Sequence, residues 1–198
     1  MVSMHKSARH AAPFLVTALA LSACSGSTSP DPGVPESSLH FLSPNPGAPA
    51  LVSDTVRFYA VVGQDRIASL YYQPVNGLGD SVQFLAFDVP ANARIQQPDG
   101  TPVADGDSVL ITVALADSSR LIVAFAPSGL TFSGQPAQLT LSFAEADSSL
   151  SASNKSSLAL WRQEQPGERW HKVSSTVHQG ALTVSGNVAG FTVYATAY

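Results

Sequence analysis

VLITVAL, residues 109 to 115, is followed after Asp117-Ser118-Ser119 by LIVAF, residues 121 to 125. Both runs are β-branched or apolar, and neither is long enough for a buried helix. The segment between them is turn chemistry, so the pair predicts a tight antiparallel hairpin. The same texture extends in both directions. Val56 to Val62, Ile67 to Tyr72 and Val82 to Val89 precede it, the last stopping at Pro90. Ala137 to Phe143, Leu158 to Arg162, Arg169 to Val173, Ala181 to Ser185 and Phe191 to Ala197 follow. Leu139, Leu141 and Phe143 alternate with Thr140 and Ser142, the mark of a strand with one buried face. No window of a dozen residues carries a helical stripe. The expected fold is all-β, an antiparallel β-sandwich.

Outside that pattern lies the N-terminus. A basic start (Lys6, Arg9) leads into an apolar stretch from Ala11 to Leu21 and then Leu21-Ser22-Ala23-Cys24. This order of charged, apolar and small residues describes a secretory signal peptide. The stretch is interrupted by Pro13 and falls short of the ~20 apolar residues a membrane-spanning helix needs. Leu-Ser-Ala-Cys resembles the lipobox of bacterial lipoproteins. That resemblance implies cleavage after residue 23 and acylation of Cys24, palmitate among the chains, with the lipid anchoring the protein to the membrane. Ser25, in place of aspartate, implies the outer membrane in a Gram-negative cell. Residues 25 to 38, SGSTSPDPGVPESS, and the patch SPNPGAP at 43 to 49 carry no apolar periodicity. Residues 24 to 50 therefore read as anchor and tether, and residues 51 to 198 as the domain. About 150 residues suit one core, although two tandem subdomains, or a separate lobe over residues 39 to 80, fit the same length.

Charge narrows the partners. Lys6 and Arg9 leave with the leader, so 14 acidic groups face 8 basic ones, a net charge of about −6. The charges are scattered without a basic run, which argues against nucleic acid. The chain has 1 cysteine, so with Cys24 acylated no internal disulfide can form and stability rests on the core.

Two stretches resemble the ZU5 domain and the module that follows it in secreted bacterial proteins. In RLIVAFAPSGLTFSGQPAQLTLSF, residues 120 to 143, the PSGLTF turn from Pro127 to Phe132 precedes Pro136 and an alternating strand, as in that family. Phe87 to Ala93 is similar to the family's earlier V-P-x-G-A segment, with Asn92 in place of glycine. Leu160-Trp161, Arg169-Trp170, Val173, Ser175-Thr176-Val177 and Gly190 to Ala195 are similar to its ending. The resemblance spans about 110 residues and implies a ZU5-like sandwich. Some relatives cut themselves at a His-Phe-Ser triplet, a reaction needing a hydroxyl nucleophile and an activating base. The matching triplet here is Gly190-Phe191-Thr192, without the histidine, so self-cleavage is not expected. Read physically, Pro127 ends a strand, Gly129 takes a positive φ, and Leu130 and Phe132 re-enter the core. Trp161 and Trp170 flank Gln165-Pro166-Gly167 and are placed to meet across a hairpin.

Candidate chemistry is sparse. His40, His171 and His178 lack zinc-pair spacing, and Ala126-Pro127-Ser128-Gly129 is not a nucleophile elbow around Ser128. Asp99, Asp105 and Asp107 offer the oxygens that Ca²⁺ favours, without EF-hand spacing, and Asp-Gly is also ordinary turn chemistry. Tyr71, Tyr72, Trp161 and Trp170, with Tyr59, either form a platform for a sugar or a partner protein, or complete the core. The expected role is a non-catalytic binding or structural module at the cell envelope, meeting an envelope protein or glycan. A carbohydrate-binding accessory module is the alternative, and a hydrolase the weakest reading.

Overall fold

The computed structural model describes residues 31 to 74 and 79 to 198. Cys24 and the leader lie outside the described residues. Asp31–Tyr198 makes one compact unit. One antiparallel sheet has six strands in the order β1 (Thr55–Val61), β5 (Ser108–Asp117), β6 (Ile122–Ala126), β13 (Val193–Ala197), β9 (Ala159–Gln163) and β10 (His171–Lys172). The second has five: β11 (Ser175–His178), β12 (Thr183–Val188), β8 (Ala137–Ser142), β3 (Gln83–Val89) and β2 (Arg66–Tyr71). A small pair, β4 (Ala93–Gln96) with β7 (Thr131–Gly134), completes the strands described. The fold is all-β, and its two large sheets pack face to face as a sandwich.

Alternation explains the packing. Val109, Ile111 and Val113 on β5 and Val123 and Phe125 on β6 point inward, against Leu85 and Phe87 on β3 and Leu139 and Leu141 on β8. Phe87 meets Phe125 across the sandwich at 4.9 Å between ring centroids, and Phe125 meets Phe191 at 5.0 Å. Rings tilted at such distances add to an area-driven gain of about 1.5–3 kcal/mol per buried side chain. The predicted hairpin forms, with Val113 opposite Phe125. Asp117 accepts from Ser119 N–H at 2.9 Å and so closes its turn. The PSGLTF turn behaves as expected: β6 stops before Pro127, Gly129 has φ +83°, and Leu130 and Phe132 are buried.

The early segment joins the sandwich. β1 pairs with β5 and β2 with β3, so the described residues between 39 and 80 form no separate lobe. The expected tether also ends sooner than residue 50. Val34 and Trp170 exchange backbone hydrogen bonds at 2.8 Å, and His40 and Tyr198 do so at 3.0 and 3.2 Å. Val34, Leu39 and Phe41 lie on the outer face of the six-stranded sheet over Ile122, Trp170 and Ala195, forming a second apolar cluster. Gly33 makes the approach feasible. Its φ is +65°, and a Cβ there would sit 2.8 Å from His171 Cε1 and 2.9 Å from Trp170 O.

This strap changes the expected tryptophan pair. β10 is two residues long, and Lys172 stands opposite Trp161. Trp170 packs edge-on against Phe41, at 5.0 Å and 63°, rather than against Trp161.

Candidate functional site

The aromatic side chains do not assemble a platform. Trp170 is 1% exposed beneath the strap, and Tyr72 is 3% exposed against Phe84. Trp161 is half-buried, donating from Nε1 to Ala197 O at 3.2 Å. Tyr71 is exposed on the other sheet, and Tyr59 lies open opposite Leu110. Burial pushes the Tyr72 hydroxyl up to about 12, with the Glu145 carboxylate adding to it. Its oxygen has no hydrogen-bond partner among the described residues.

The acidic loop is likewise occupied with turn duty. Asp99 accepts from Thr101 N–H at 2.9 Å, which holds its carboxyl below the usual range. Asp105 pairs with Arg94. Asp107 N–H donates to Ala104 O, closing the turn before β5. Among the described residues no group of three or more His, Cys, Asp or Glu side chains is placed to hold a metal. The three aspartates are therefore not brought together as a calcium site.

Nucleophile readings find little support. His178 Nε2 lies 2.8 Å from Ser185 Oγ across the β11–β12 hairpin, but among the described residues no carboxylate hydrogen-bonds the imidazole from behind to orient it. His40 stacks on Tyr198 at 5.3 Å, and His171 is half-buried beside Gly33. Ser128 lies in the turn between β6 and β7. Thr192, the hydroxyl of the triplet that matches a self-cleavage site, is 5% exposed and donates to Gln163 O and Glu164 O. Committed to two carbonyls, it serves the fold.

A feature that sequence reasoning missed is the outer face of the five-stranded sheet. Register places side chains from separated stretches in straight rows. One row runs Ser69, Ala86, Thr140, Ser185, Thr176, across all five strands. The next runs Ile67, Asp88, Gln138, Asn187 across four. Neighbours along each strand, among them Phe87, Leu139 and Val188, point into the core, so these rows face outward. Asp88 is the one formally charged side chain in either row. A soluble surface is ordinarily dense in Lys, Arg, Glu and Asp, and this one is built of hydroxyls and amides instead.

Beside the second row is a cavity of about 320 Å³ lined by Asp88, Pro90, Gln135, Pro136, Gln138 and Asn187. Gln83 donates to Ser69 Oγ at 2.9 Å and His178 meets Ser185, while Asp88, Gln138 and Asn187 engage no other described side chain. Partial burial, then the nearby Asp65 carboxylate, raise the Asp88 carboxyl above its usual value. Asp65 itself accepts from Ala91 N–H at 2.7 Å.

A larger cavity of about 430 Å³ borders the strap, lined in part by Glu36, Asp117, Arg120, Gln163 and Trp170. Arg120 there pairs with Glu36 and Asp117, and Gln163 Nε2 donates to Glu168 O at 2.9 Å, while Trp170 Nε1 is buried without a hydrogen-bond partner among the described residues. The cavity on the five-stranded sheet is the one with several polar side chains, Asp88, Gln138 and Asn187, that hydrogen-bond no other described side chain. No family model matches this chain, and no curated protein matches it either.

Proposed function

We propose that this chain is a lipid-anchored, non-catalytic binding module of a bacterial envelope, with a ZU5-like sandwich as its working part. The observation that carries the proposal is Leu21-Ser22-Ala23-Cys24 behind a basic start and an apolar stretch. A thiol at that position accepts a thioether-linked diacylglycerol, and with further acylation the anchor is firm, since two or more chains hold a protein stably at a membrane. The sparse chemistry supports a binding role: the Ser185–His178 contact has no orienting acid, and Thr192 is tied to backbone carbonyls. A second reading, a carbohydrate-binding accessory module, is favoured by the polar rows on the five-stranded sheet, in which Asp88 is the one charged side chain.

The test is mass spectrometry of the protein from its membrane fraction, beside a Cys24→Ser variant. An N-terminal acylated Cys24, absent from the variant, is the expected result. A chain that keeps residues 1 to 23, or begins elsewhere without lipid, would overturn the anchor.

A further inference from the structure

We infer that the cavity over Asp88, Gln138 and Asn187 is a binding site for a neutral saccharide. The inference rests on the binding-module reading and names the ligand class for that module. Three adjacent strands present these side chains side by side, Asp88 opposite Gln138 and Gln138 opposite Asn187. At a strand spacing of roughly 4.8 Å, the three span roughly 10 Å of a nearly straight line. A carboxylate accepts only, whereas each amide both accepts and donates twice. A sugar hydroxyl also donates and accepts, so a run of ring hydroxyls can satisfy all three groups at once.

The surroundings select against other ligands. No Lys or Arg lines the cavity, so an anion would meet Asp88, with Asp65 behind it, and no counter-charge. A divalent cation would find only these two carboxylates, and one oxygen of Asp65 already accepts from Ala91 N–H. A protein partner generally needs a buried aromatic or Arg anchor in a dry pocket, and the lining has no such apolar floor. Pro90 and Pro136 instead supply apolar walls, and Ile67, 68% exposed, extends the row beside Asp88. These fit the C–H edges of a sugar ring. The volume lies at the lower end of small-ligand sites, which suits one or two rings of a longer chain.

The experiment is calorimetric titration of the purified full-length chain in detergent. The neutral probes are cellohexaose, maltohexaose, mannohexaose, galactohexaose and chitohexaose, with polygalacturonate and calcium chloride as charged ones. Binding of at least one neutral probe is expected, weakened about tenfold or more in Asp88→Ala and in Gln138→Ala, each of which removes hydrogen bonds to the ligand. Trp161→Ala, on the other sheet, should bind as the parent does. Far-ultraviolet circular dichroism and the unfolding midpoint check that the variants keep the fold. Failure of all neutral probes at millimolar concentration, binding of charged probes alone, or binding that survives both substitutions would each overturn the site. Those outcomes leave the mass of the Cys24 peptide unchanged, so they are separable from failure of the anchor.

Discussion

On the outer face of the six-stranded sheet, Trp170 and Ile122 are sealed under Val34, Leu39 and Phe41. On the outer face of the five-stranded sheet, Gln138 and Asn187 stand open to solvent. One face is apolar, and the residues before β1 cover it over Ile122, Trp170 and Ala195 while Tyr59 and Leu110 on β1 and β5 stay exposed. The other is polar, with Asp88 the one charged side chain in its two rows, and the polar side chains of its cavity hydrogen-bond no other described side chain. A sandwich has two spare faces. Here part of one holds the residues before β1, and the other presents its polar rows and their cavity to solvent.

The largest expected difference between the faces is thermodynamic. Trp170→Ala should cost about 3–5 kcal/mol, the range for deleting a buried aromatic. Denaturant unfolding reads the loss, and limited proteolysis should show new cleavage between Asp31 and Leu42. Gly33→Ala should cost about 1–3 kcal/mol, because it forces a side chain into a positive φ and against Trp170 O. Amide exchange at Val34 and Trp170 should then quicken while exchange at Thr140 and Ser185 does not. Equal quickening at both places would abolish the distinction between a local strap and a shared core.

A smaller effect divides the faces by pH. Hydrogen bonds from the Ser119 hydroxyl, then from Arg120, hold the Asp117 carboxyl down at about 2. Its folded value lies below the unfolded one, so its stabilisation is present above roughly pH 5 and fades as pH falls towards 2. Arg120, which also holds Glu36, should lose its grip on the strap over that window. Exchange at Val34 measured down a pH series checks this, and Arg120→Met should flatten the response. Asp88 has the opposite sign. Its folded value is raised, so ionising it opposes folding as pH rises above the unfolded value. Asp88→Asn should therefore raise the unfolding midpoint slightly at neutral pH and leave it unchanged in acid. Smallest of all, Thr140→Ala and Asn187→Ala should stay within about 0.5 kcal/mol of the parent, as surface substitutions do.

What could be read from the chain was what local chemistry decides. Alternation in Leu139, Leu141 and Phe143 marked β8, the Asp117 turn marked the β5–β6 hairpin, and Pro127 and Gly129 marked the next corner. The strap escaped notice because Val34, Leu39 and Phe41 have no period of their own. They sit among Pro and Ser, and their burial is set by Trp170, more than a hundred residues away. β11 and β4 were passed over for a related reason. Ser175–His178 and Ala93–Gln96 are four-residue strands with little local signal, and they gain strand character from their partners. The Asp88–Gln138–Asn187 row was invisible for the same cause: register among β3, β8 and β12 creates it, and no spacing within one stretch encodes that register. The aromatic residues left core and surface both open, since large side chains near turns serve either: Trp170 and Tyr72 are buried, and Tyr59 and Tyr71 are exposed.

The strap also sets how the protein would bear a pull. Any tension reaching the domain through the chain before Asp31 arrives first at the Val34–Trp170 hydrogen bonds, then at the His40–Tyr198 pair. His40 and Leu42 pair with the end of β13, and Leu42 is buried in the main core, so a pull that frees Val34 next loads the six-stranded sheet itself.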